Sequence, residues 1–136
     1  MKASYKNLIL FIIIKYIIFY LFLMVKNNNY GLLKLFEMKN FEDFVYYFFI
    51  FLFLPTVYII LFLLPLHYIF KLKKPLYFIT LISVIFLLEY GIYTYLASTS
   101  NFTNGMYNAL IGLLIFCFMF GKKIKEKFSL QDKSIE

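Results

Sequence analysis

The chain has no tryptophan and no arginine, a single cysteine and histidine, and three prolines in 136 residues. One cysteine, Cys117, excludes an intrachain disulfide, and His67 has neither an acidic residue nor a cysteine near it in sequence, so no metal-ligand spacing arises. Acidic groups are scarce, seven against fourteen basic ones, all of them lysine. The sequence offers no nucleophile beside a base, no Gly-rich phosphate loop and no pair of carboxylates at ligand spacing. These absences lead us to expect no enzymatic activity, no metal, no cofactor and no nucleic-acid partner.

What the chain has in abundance is apolar surface. It is 63% hydrophobic and 24% aromatic, with a mean hydropathy of +0.81, too apolar for a soluble domain of this size. Four apolar runs, residues 8–25, 44–70, 75–97 and 105–120, approach or exceed the length of about 20 residues that crosses a bilayer as a helix. Only helices and closed barrels satisfy the backbone in lipid, and the runs lack the strict alternation of barrel strands. The first run resembles a secretory signal in its preceding lysines, but it ends in Met24-Val25-Lys26-Asn27 without a small-residue cleavage pattern and is read as a retained anchor. The expected fold is an all-α membrane protein, a bundle of four transmembrane helices. Residues 1–128 would form one domain and residues 129–136 a short tail.

The lysines orient this bundle. Lys2, Lys6, Lys71, Lys73, Lys74, Lys122, Lys123, Lys125, Lys127 and Lys133 fall in the first, third and fifth polar segments, opposed only by Glu126, Asp132 and Glu136. The second and fourth segments hold Lys26, Lys34 and Lys39 against Glu37, Glu42 and Asp43, and are neutral. Basic flanks stay inside, so both termini and the 129–136 tail are expected in the cytoplasm. Heavy use of Lys, Ile, Phe, Tyr and Asn suits AT-rich codons and a bacterial inner membrane.

The first outer loop is the most structured polar segment. Residues 32–39 mix apolar and charged side chains over about two turns, as a short interfacial helix does. Asn40, with Glu42 and Asp43 just after it, suits the start of the second span. Lys34, Phe36, Glu37, Lys39, Glu42 and Asp43 form a candidate partner-binding surface; the plainer reading is a linker pinning two helix ends. In the second span Pro55 deprives the Phe51 carbonyl of its helical partner and offers a kink. Gly105, Asn108, Ala109 and Gly112 line one face of the fourth span, where small residues let helices approach closely, within the bundle or in a homo-oligomer.

Two ionisable residues lie inside apolar runs, Lys15 and Glu89. Each costs about 2.5 to 3.5 kcal/mol at a helix centre if left uncompensated. Counted from the helix starts expected at Asn7 and Pro75, their depths differ by roughly 9 Å. One arrangement is a direct pair; the others are Lys15 snorkelling to the interface with Glu89 protonated or bonded to hydroxyls.

The opening Ser4-Tyr5-Lys6-Asn7-Leu8-Ile9-Leu10-Phe11 and the exit of the first span, Lys26-Asn27-Asn28-Asn29-Tyr30-Gly31, resemble the start of immunity proteins against pore-forming colicins. Those proteins are small, lysine-rich and polytopic, and intercept the toxin's pore domain in the inner membrane. The resemblance transfers no individual functional residue. It implies a non-enzymatic protein that binds a toxin, or more broadly a complex subunit, in the bilayer. The alternative is a small oligomeric transporter or channel using Glu89.

Overall fold

A computed structural model describes residues 3–28, 40–97 and 101–132. Residues 32–39, read above as an interfacial helix and carrying Lys34, Phe36, Glu37 and Lys39, lie outside the described residues, as does the side chain of Asp43. The described residues form four helices: α1 (Tyr5–Lys26), α2 (Phe41–Lys71), α3 (Pro75–Ala97) and α4 (Phe102–Asp132). All four are long and apolar enough to cross a membrane, over Tyr5–Lys26, Phe51–Lys71, Pro75–Leu96 and Phe102–Ser129. The protein is therefore an all-helical, multi-pass membrane protein by length and composition.

Local chemistry explains the helix ends. The Ser4 side chain accepts the backbone N–H of Asn7 at 3.4 Å, capping α1. Asn40 occupies the cap position of α2 in extended backbone, but its side chain makes no capping bond. Pro75 opens α3 at the first-turn position where a missing N–H costs nothing. α2 continues through both Pro55 and Pro65. α4 continues past the apolar run through Lys122–Asp132, four residues into the segment expected as a tail, because lysine, glutamate and glutamine are good helix formers.

Each helix packs mainly on its neighbours in chain order, and α4 returns against α1 to close the ring. Contacts at the ends fix the alternating direction. Tyr5 at the start of α1 stacks on His67 near the end of α2, ring centroids 4.1 Å apart. At the opposite end, Lys26 Nζ donates to Asn104 Oδ1 at 3.2 Å and lies over the Tyr107 ring. Lys127 Nζ donates to the carbonyl of Leu72, tying the extension of α4 to the turn between α2 and α3.

The interior is aromatic. Phe11, Phe70, Phe116 and Phe120 interlock with centroid separations of 4.9 to 6.1 Å, in the range where such pairs add about 0.5 to 1.5 kcal/mol each. Outward faces are equally apolar: Phe118 is 91% exposed and Leu114 68%. In water these faces would aggregate, whereas in lipid they are solvated.

Candidate functional site

The site forms where the inward stripes of the four helices meet at mid-length. On α1, Leu8, Phe11, Ile12, Lys15, Tyr16 and Phe19 recur at helical spacing and are all buried, so Lys15 takes a core position by periodicity alone. On α3, Ile82, Ile85, Phe86, Glu89 and Tyr93 do the same. α2 contributes Tyr58, and α4 contributes Asn108 and Gly112. The two charges thus point at each other across the bundle axis.

Lys15 Nζ is hydrogen-bonded and ion-paired to Glu89 Oε1, with Lys15 1% and Glu89 6% exposed. The depth mismatch expected from the sequence is smaller in the structure. α1 starts at Tyr5, so Lys15 is 10 residues into its helix and Glu89 is 14 residues into α3, an offset of about 6 Å that a lysine stem spans. Three rings surround the ammonium, with centroids at 5.4 Å (Tyr16), 5.9 Å (Tyr58) and 5.8 Å (Phe86). Ring faces carry negative potential and so stabilise a cation already drawn from water.

Tyr58 does a second job. Its hydroxyl donates to the backbone carbonyl of Glu89 at 2.7 Å, joining α2 to α3 at the level of the pair. Among the described residues, no α3 hydroxyl bonds to the Glu89 carboxylate. Thr80 instead donates back to the Leu76 carbonyl at 3.0 Å, and Thr94 Oγ1 is buried without a partner.

The face Gly105, Asn108, Ala109 and Gly112 turns into the bundle. A Cβ on Gly112 would lie 2.7 Å from Lys15 Cε and 3.0 Å from Phe86, so this glycine makes room for the lysine stem. A Cβ on Gly105 would meet Thr94 Oγ1 and the Tyr90 ring of α3. Asn108 is fully buried, and its amide shares one interior beside Glu89 with the Tyr16 and Tyr58 hydroxyls, the Tyr16 hydroxyl lying within interaction range of both. The cluster therefore holds polar groups beyond those the ion pair consumes.

Tyr16 and Tyr58 are the members that sequence reasoning missed. Beside Glu89, between Tyr58 and Phe86, lies a crevice of about 10 Å3, room for roughly one water molecule. Pro55 is buried one turn before Tyr58, Glu42 is exposed at the start of α2, and Cys117 is exposed on α4. Among the described residues, no three His, Cys, Asp or Glu side chains gather as a metal site would require. The chain matches no protein-family model, no curated protein and no solved structure.

Proposed function

We propose that this chain is a non-enzymatic protein of a bacterial inner membrane, with both termini cytoplasmic, that acts by binding a protein partner in the bilayer. In its most specific form it is an immunity protein that neutralises a membrane-directed toxin. The observation carrying the binding reading is the closure of Lys15 on Glu89. The two charges neutralise each other inside a ring of aromatic groups, as suits a pair that sets helix register rather than a path for ions. The toxin as partner rests on the resemblance of residues 4–31 to immunity proteins, and the outer segment from Lys34 to Asp43 is the proposed recognition surface.

A second reading, an oligomeric transporter or channel, draws support from the Asn108 amide and Tyr16 hydroxyl buried beside Glu89. The double variant Lys15→Met/Glu89→Gln separates the two, because it removes both charges without stranding either. Cells expressing the wild type or the double variant are challenged with a panel of pore-forming bacteriocins, including any encoded beside the gene. Protection by both proteins is expected. Failure of the wild type against the whole panel would remove the immunity reading. Solute or ion flux in liposomes that is present in the wild type and lost in the double variant would establish transport instead.

A further inference from the structure

The lysines at one end of the bundle are not spread evenly over it. The turn between α2 and α3 and the extension of α4 enclose a groove of about 850 Å3. Its walls carry Lys71, Lys73, Lys74, Lys123 and Lys127, against which stands one carboxylate, Glu126. That carboxylate is engaged with Lys123 at 3.0 Å, and Lys127 is held by the Leu72 carbonyl. Lys71, Lys73 and Lys74 are exposed along the rim.

Two features set the level and the polarity of this groove. Its apolar lining is Phe70, which backs onto the aromatic interior, and Leu76, 71% exposed at the start of α3, so through Leu76 it opens onto the outward apolar face of α3. Tyr68 and Tyr77, 62% and 56% exposed, flank it, with Lys71 Nζ 5.1 Å from the first ring and Lys74 Nζ 5.6 Å from the second. Exposed tyrosines with lysine ammonium groups over their rings suit the headgroup level of a bilayer. A ligand filling the groove therefore has an anionic head among ammonium groups and an apolar body that continues down the helices.

We propose that this groove binds the phosphate headgroup of an anionic phospholipid, with the acyl chains lying along α2 and α3. Phosphate is the shared chemistry of a lipid headgroup and a soluble phosphate. The apolar edge at Leu76 selects the lipid, since a soluble anion gains nothing from it. The inference depends on the chain residing in a membrane and not on the identity of its protein partner.

The absence of tryptophan makes the test direct, because a single introduced one reports alone. Tyr77→Trp, or Tyr68→Trp should the first fail to fold, is reconstituted in phosphatidylcholine vesicles containing brominated phosphatidylglycerol or brominated phosphatidylcholine, whose bromines quench a neighbouring indole. Stronger quenching by the anionic lipid at equal mole fraction is expected. Adding Lys73→Gln and Lys74→Gln should weaken that preference by about tenfold or more. The matched pair Lys122→Gln and Lys125→Gln, outside the groove on the same end, should change it little. Equal quenching by both lipids, or equal losses from the two lysine pairs, would overturn the proposal. Displacement of the anionic lipid by micromolar inorganic pyrophosphate would overturn it in favour of a soluble phosphate ligand.

Discussion

At the scale of single residues, Lys15 and Glu89 are stabilising only as a pair. Removing one member of a buried pair strands the other charge at a cost of about 3 to 5 kcal/mol, whereas neutralising both leaves no charge stranded. Lys15→Met and Glu89→Gln should each lower the unfolding temperature in detergent, and the double variant should regain most of the loss. Additive losses would mean the two groups do not interact. Both residues were legible in the sequence because a charge inside an apolar run stands out. Tyr16 and Tyr58 were not, since aromatic residues make up 24% of the chain and a core tyrosine looks like any other. Their role appears only when four helices bring a hydroxyl, a ring and an ammonium together.

At the scale of helices, α4 is shaped by what it leaves out. Gly112→Ala gains about 1 kcal/mol of helix propensity, but its methyl would press on a lysine end that Glu89 and three rings hold in place. Overpacking of that kind costs about 1 to 3 kcal/mol, so the net effect should be destabilising. Gly91 and Gly121 provide the internal control, because a Cβ there meets nothing within 4 Å. Gly91→Ala and Gly121→Ala should be neutral or stabilising in the same thermal assay, and a loss at all three positions would point to backbone effects rather than to the lysine. The small-residue face was readable from spacing, but its direction was not, since internal and intermolecular packing ask for the same residues. Helix ends were also poorly legible. Hydropathy marks where lipid ends, whereas α1 and α4 extend beyond their apolar runs for as long as caps and helix-forming polar residues support them.

At the scale of the whole molecule, four helices were legible from run length alone, because the bilayer demands a length that soluble folds do not. Their arrangement as a ring was only partly so: the turn at Leu72–Lys74 forces α2 and α3 together, but the return of α4 onto α1 depends on side chains far apart in sequence. The proposed orientation follows from lysine placement. Reporter fusions after Lys74 and Lys127 should read as cytoplasmic, and fusions near Lys34 and Asn101 as external. A C-terminal fusion that reads as external would require an odd number of crossings and would sink the four-span arrangement.

The Lys15–Glu89 contact also imposes a timetable on biogenesis. The two residues are separated by 74 positions on α1 and α3, so Lys15 leaves the ribosome before Glu89. During that interval α1 carries an ammonium with no counter-charge of its own, and water, headgroups or the insertion machinery must host it. Arrival of α3 supplies the carboxylate that pairs with Lys15, so nascent chains cut short before Glu89 carry an α1 whose ammonium still lacks its partner.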